Sequence, residues 1–365
     1  EVDEAKLREA QRRIQDRGMY GVVSASRNDG ATLPYVDNLV NLLIDSTGGQ
    51  VPKEEILRVL VPGGVAYLGE EKITKPWPAE IDAWGHFLHG PDNNAVVQDR
   101  RVGIPRSIQW VSEPRWGRTH EEMASLSTAV SANGRLYYIV DESPLASIRF
   151  LGKWKLVARD AFNGSLLWKK PIASWVDPLR HFRSGPAHLP RRLVAIDDRV
   201  YVTLDLAARV AALDGATGET LMEYEGTERT EEILVDQGIL YLLVGTSEVN
   251  RRGGGLFERG EPKATDFRYV KAFDAQTGKE LWTRDYSNEY ILPLTMAVKD
   301  NRLFFQSALG VVCLDAKSGA DIWKSPRQTP ARRMSFSAPT LVATKDVVLC
   351  ADRDLGQAEE GEPLP

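Results

Sequence analysis

Apolar positions follow two different rhythms along the chain. Up to about residue 70 they alternate between helical and strand-like patterns. Leu7, Ala10 and Ile14 fall at helical spacing before Gly18, and Val22–Ser26 reads as a short buried strand, followed by a turn at Asn28-Asp29-Gly30. A second apolar run, Leu39–Ile44, precedes a helix that Pro52 opens and that carries Ile56, Leu57, Val59 and Leu60. Pro62-Gly63-Gly64 is expected to end it before a strand at Val65–Leu68. Strand, helix and strand in turn predict a parallel sheet, so residues 1–72 read as a partial α/β unit.

Farther along, strand-length apolar runs dominate and the spelling repeats. Asp160, Asp214, Asp274 and Asp315 each close an apolar strand and are each followed four residues later by glycine: Gly164, Gly218, Gly278 and Gly319. Three copies then deliver a tryptophan, Trp168, Trp282 and Trp323, and Met222 stands in the second. A companion strand precedes each marker at 134–139, 198–203, 238–243 and 301–306, each after a turn of Asn-Gly, Asp-Asp, Gln-Gly or Asp-Asn type, and a fifth opens at 346–350. A period of roughly 40–60 residues suits four-stranded propeller blades. Five openings against four closings predict about four and a half blades over 126–365, an incomplete propeller in a mainly β chain.

The physics of the repeat unit is local. The Asp side chain can accept hydrogen bonds from the turn's backbone, Gly supplies positive φ, and the returning strand presents an indole to wedge against the neighbouring blade. These tryptophans therefore read as structural. Met222, a thioether, fills the same gap less rigidly, so that contact is expected to be the loosest.

Composition narrows the function classes. Lys plus Arg number 46 against 51 Asp plus Glu, a formal charge of −5, which leaves no basic excess to bind nucleic acid. No apolar run is long enough to cross a bilayer. The two cysteines, Cys313 and Cys350, exclude a disulfide framework, a four-thiolate cluster and a CxxCH haem site.

Concentrated polar chemistry lies in the junction, residues 73–125. His86, His89 and Asp92, with His120, offer the residue types and spacing of a metal site, and the three histidines are also candidate acid/base groups. The competing reading gives these side chains to hydrogen bonds that tie loops onto the propeller. A second cluster, Arg183, His188, Arg191 and Arg192, is suited to an anionic ligand such as a carboxylate or uronic sugar, or to pairing with the acidic stretch Glu228–Glu232.

Two resemblances extend this reading. The segments Asp29-Gly30, Leu33-Pro34-Tyr35, Asp37-Asn38-Leu39-Val40 and Glu55–Gly64 resemble the second half of a class I S-adenosylmethionine-dependent methyltransferase, a Rossmann-like fold. That resemblance implies Asp29 at the adenine amino group of S-adenosylmethionine and Glu1 at the ribose hydroxyls, with the Gly-rich turn expected upstream of Glu1. The Asp-x-x-x-Gly-x-x-x-Trp repeats resemble the blades of pyrroloquinoline-quinone-type propellers, found in quinoprotein dehydrogenases and in an outer-membrane assembly lipoprotein. The dehydrogenases hold the quinone against an adjacent-cysteine disulfide, whereas Cys313 and Cys350 stand on different repeats. The resemblance implies an exported protein, periplasmic or at the cell surface; with structural markers repeated and no nucleophile-base-orienter constellation spelled out, the chain reads as a scaffold for a protein or a small anionic or carbohydrate ligand. The alternatives are an enzyme with a junction histidine site, quinoprotein-type or carbohydrate-active, or a methyltransferase.

Overall fold

The computed structural model describes residues 3–28, 30–46, 50–105, 107–113, 125–144, 151–175, 189–245, 268–286, 289, 291–292, 294–307, 309–326 and 340–351. The chain divides into two units, 1–79 and 80–365, so the segment expected as a junction, 73–125, is split between them, with residues 80–125 in the second.

In the first unit, α1 (Glu4–Asp16) starts at Asp3, whose Oδ1 accepts from Ala5 N at 2.9 Å and Lys6 N at 3.3 Å. It stops where Gly18 adopts φ 64°. The expected strand at Val22–Ser26 does not form. Val22 and Val23 N–H turn back onto the Met19 carbonyl, and Val22 is 87% exposed. β1 (Val40–Asp45) and β2 (Leu60–Leu68) pair in parallel across α2 (Lys53–Val59), and β3 (Glu71–Thr74) lies antiparallel on β2. Ile56, Leu60, Ala66 and Ile73 form its core. Pro62-Gly63-Gly64 does not separate helix from strand. It lies inside β2, where the register jumps from Val40↔Leu60 to Leu42↔Val65. Among the described residues three strands and two helices, with one parallel pair, do not make the Rossmann-like unit expected from the sequence. Glu1 and Asp29, the positions assigned to S-adenosylmethionine, lie outside the described residues.

Among the described residues the second unit holds four antiparallel four-stranded sheets and a strand pair. They are β4 (Leu126–Ala132), β5 (Arg135–Asp141), β6 (Trp154–Asp160) and β7 (Leu166–Pro171); then β8 (Leu193–Ile196), β9 (Arg199–Thr203), β10 (Val210–Asp214) and β11 (Thr220–Glu223). The third sheet is β12 (Thr230–Asp236), β13 (Ile239–Gly245), β14 (Arg268–Asp274) and β15 (Glu280–Asp285). The fourth is β16 (Ala297–Lys299), β17 (Arg302–Ser307), β18 (Gly310–Asp315) and β19 (Asp321–Pro326), and β20 (Thr340–Ala343) pairs with β21 (Val348–Ala351). First strands contact first strands, β4 to β8, β8 to β12, β12 to β16 and β16 to β20, the arrangement of propeller blades about an axis. Four apolar clusters fill the gaps between successive blades.

The repeated residues are the joints of this assembly. Asp160, Asp214, Asp274 and Asp315 each accept, through Oδ1, the N–H groups two and three residues on, and each backbone carbonyl receives the N–H of the glycine four residues on at 2.8–2.9 Å. Hydrogen bonds from Ser318 hold the Asp315 carboxyl below its ordinary pKa. The Trp168 and Trp282 indoles then lie on the glycine of the next blade. A Cβ on Gly218 would stand 2.6 Å from Trp168 Cδ2, and one on Gly319 2.7 Å from Trp282 Cδ2. The indole N–H reaches a carbonyl in the same turn, Trp168 to Gly215 and Trp282 to Ala316, both at 3.0 Å. These indoles are half-buried, and Trp323, on the last full blade, is 37% exposed.

Met222 sits over Gly278 less closely, as its thioether leads one to expect: a Cβ on that glycine would stand 3.4 Å from Sδ. The carbonyl an indole would have used, Ala275 O, receives Tyr224 Oη at 2.7 Å and Arg199 Nη1 at 2.8 Å instead.

Candidate functional site

Each blade's first strand has one edge paired with its neighbour and the other facing the axis, where its N–H groups need acceptors. The segment Trp84–Asp92 supplies them. Ser131 N donates to Trp84 O at 2.8 Å, Ala195 N to Gly85 O at 2.9 Å, and Val235 N to His86 Nε2 at 3.1 Å. Val298 N donates to Pro91 O at 2.8 Å and Ala343 N to Asp92 O at 3.0 Å. These five donors occupy one ladder position, each paired with the residue five farther on: Ser131↔Leu136, Ala195↔Val200, Val235↔Leu240, Val298↔Leu303 and Ala343↔Val348. A single strap thus ties one inner strand of each described sheet of the second unit. Gly85 is required by contact, since a Cβ there would lie 2.6 Å from Ala195 O.

Three of the four candidate metal residues, His86, His89 and Asp92, lie in this strap. His86 is 2% exposed, and its Nε2 accepts from Val235, which places the ring proton on Nδ1; that atom has no hydrogen-bond partner among the described residues. Burial pushes its pKa down to about 3, so it is a neutral acceptor. His86 and His89 close a short hairpin through paired backbone bonds at 3.1 Å, with His89 at φ 71°. The His89 ring turns away to Asp82, Nε2 to Oδ2 at 2.7 Å, edge-on to Trp84. Burial works against the Asp82 charge, yet the Gln98 N–H and His89 hold its pKa below the usual value. Asp92 Oδ1 accepts Asn94 N at 3.1 Å and Oδ2 accepts Lys299 Nζ at 3.0 Å. Among the described residues no three His, Cys, Asp or Glu side chains come together as a metal-binding group. His120 lies outside the described residues.

Two candidate anion-binding residues are interior. Arg191 Nη1 donates to Glu232 Oε1 at 2.7 Å and to Asn93 Oδ1 at 2.9 Å, and its guanidinium stands over the Phe87 ring. Glu232 Oε2 also accepts Leu294 N and Met296 N; burial raises its pKa, opposed by Arg191 and these N–H groups. Asn93 Nδ2 completes the set, donating to Met296 O at 2.7 Å and Leu341 O at 2.9 Å. Arg192, fully buried, donates to Leu206 O at 3.1 Å, and burial lowers its pKa to about 10. The pairing with the acidic stretch is therefore what the structure contains, and Arg191 and Arg192 do not offer a solvated anion cradle. Arg183 and His188 lie outside the described residues.

Sequence reasoning missed the strap's acceptors, which are mostly backbone carbonyls, and it missed Trp110. That indole lies on Gly164 as the repeat indoles lie on theirs, 2.5 Å from a Cβ position, with Nε1 donating to Ala161 O at 3.2 Å. Its signal is a tryptophan one blade-step before the first marker glycine, without the Asp-Gly turn that identified the others.

Solved structures similar to the chain include the quinohemoprotein alcohol dehydrogenase of Comamonas testosteroni, 13% identical with a TM-score of 0.43, over 72% of this chain and 44% of that one. The quinohemoprotein alcohol dehydrogenase ADHIIG of Pseudomonas putida HK5 is 14% identical with a TM-score of 0.41, over 73% and 44%. A europium-containing methanol dehydrogenase is 17% identical with a TM-score of 0.31, over 60% and 45%. The chain spans less than half the length of each. No curated protein matches it. The family profile described as outer membrane protein assembly factor BamB matches residues 155–357, more than half of the sequence, and no comparison supports the methyltransferase resemblance expected of residues 1–72. Four blade joints with the same Asp-to-Gly turn, together with that match, make this chain a member of the BamB family of pyrroloquinoline-quinone-type propeller repeats.

Proposed function

We propose that the chain is a binding scaffold of the cell envelope, periplasmic or at the cell surface, whose propeller receives a protein partner. The observation that carries this is the strap. His86, Asp92, Asn93 and Arg191 are the polar groups a catalytic neck would use, and each is engaged in joining blades. Membership of a family described as an outer membrane assembly factor supports both the location and a protein partner. No described helix is long and apolar enough to cross a membrane. For the first unit we infer a packing role resting on its β1–α2–β2 core.

The test sets scaffold against enzyme. The whole chain is titrated with pyrroloquinoline quinone and calcium and assayed with primary alcohols and an artificial electron acceptor, beside His86→Ala. In parallel a photo-crosslinker at Leu349, exposed on β21, is activated in cells and the fractions are separated. A scaffold gives one discrete protein adduct in the envelope fraction and no turnover. Alcohol oxidation that His86→Ala abolishes would overturn the proposal.

A further inference from the structure

The first blade has a flank that the other described blades leave open. The apolar cluster on it, Tyr138, Val140, Val157 and Leu136, draws every member from that one sheet, whereas each of the other four gaps is filled from two. Strand β4 turns Val130 and Ala132 toward the second blade and Ala129 away from it. At the ladder position of Ala129, two residues before the strap-bonded one, the other sheets carry Leu193, Ile233, Met296 and Leu341, which are 0–1% exposed because the preceding blade covers them. Ala129 is exposed. It lies in a cavity of about 320 Å³ with Trp110, Leu126, Leu136, Tyr138 and Val140.

This open seat is continuous with a blade joint that is already made. Trp110 lies on Gly164 as Trp168 lies on Gly218, and its Nε1 donates to Ala161 O, one residue past Asp160, as Trp168 Nε1 donates to Gly215 O, one residue past Asp214. Residues 107–113 therefore hold the place of a blade's fourth strand. In the described blades that strand pairs with the third, and the residue opposite is small: Ala158 at Trp168, Ala212 at Met222, Ala272 at Trp282 and Cys313 at Trp323. Two residues before each small one stands a larger apolar residue on the same face, Leu156, Val210, Val270 or Val311, buried in the gap. Those four third strands are taken, and among the described residues no strand pairs with 107–113. An extended segment with a bare edge beside an apolar cavity is a template for one more strand.

We propose that the partner of the scaffold docks here by strand addition. An edge strand of its own β-sheet, reading large apolar, any residue, small, pairs with 107–113, with the small residue opposite Trp110 and the apolar one in the cavity. The assignment rests on the scaffold reading and adds to it the place and form of the contact. The test puts p-benzoylphenylalanine at Val111, 71% exposed beside Trp110, activates it in cells and sequences the peptide it captures. The same probe is run with Ala129→Lys, which fills the cavity from an exposed position, and the unfolding midpoint of each protein is the folding control. Val111 should capture a separate polypeptide at an edge strand of that spelling. Ala129→Lys should lower the adduct about tenfold and leave the unfolding midpoint in place. Capture of a strand of another spelling, capture of a further blade of the same polypeptide, or an unchanged yield in Ala129→Lys would each overturn the assignment. An adduct at Leu349 with none at Val111 would remove the strand addition and leave the scaffold standing.

Discussion

Acid should loosen the hub through one imidazole. His86 is buried against the β12 edge, accepts Val235 N–H through Nε2, and faces Asp92, Arg191 and His89. Unfolded, a histidine takes up its proton near pH 6.5; folded, this one stays neutral to about pH 3 because burial disfavours the charge. Between those values the unfolded chain binds more protons than the folded one, so stability is complete above about pH 6.5 and falls as pH falls. At pH 5 the loss relative to pH 8 comes to about 2 kcal/mol, rising toward about 5 kcal/mol below pH 3. His86→Gln keeps an acceptor for Val235 and removes the titration, which separates this effect from the carboxylates common to both proteins. Urea unfolding followed by tryptophan fluorescence at pH 8, 7, 6 and 5 should show the natural protein losing about 2 kcal/mol more than the variant over that range. Parallel pH profiles, or an imidazole resonance at position 86 that titrates between pH 6 and 7, would refute the reasoning.

Gly85→Ala should destabilise the second unit by about 1–3 kcal/mol in urea titrations, because the new methyl group meets the Ala195 carbonyl. Trp168→Ala should cost about 3 kcal/mol by the same measurement, the low end for an indole because the ring is half-buried and Gly215 O keeps Tyr137 Oη as a donor. Met222→Trp, which restores the repeat's spelling, should fail to stabilise and should cost up to about 1 kcal/mol in thermal unfolding, since Ala275 O is already occupied by Tyr224 and Arg199. Asn93→Leu strips donors from Met296 O and Leu341 O and an acceptor from Arg191, a cost of about 3 kcal/mol; hydrogen exchange should quicken first at 341–343 in β20.

The sequence reveals what is decided within a few residues. The four Asp-to-Gly turns were legible because the side chain and the positive-φ residue that shape each one are neighbours in the chain. The hairpin turns before each marker were legible for the same reason: Asn133, Asp197, Gln237 and Asp300 all carry positive φ at the positions read as turns. Val22–Ser26 failed because strand-like composition does not supply a strand with a partner to pair with. Pro62-Gly63-Gly64 failed because breaker residues also make bulges, and β2 absorbs them as one. The junction failed in a third way. His86, His89 and Asp92 advertise chemistry by residue type, but their work is set by groups 149 residues away for His86 and 207 for Asp92, at distances no local pattern encodes.

The strap has a bearing on how the molecule is made. Trp84–Asp92 precedes every blade it fastens, so during synthesis from the amino end the fastening piece has emerged before the first sheet is complete. Each newly finished sheet then finds a waiting acceptor, in the order Trp84, Gly85, His86, Pro91, Asp92, as the chain itself delivers the blades. Assembly of the wheel thereby proceeds outward from a spindle laid down first, and a circular permutation that moved the strap behind the blades would remove that head start.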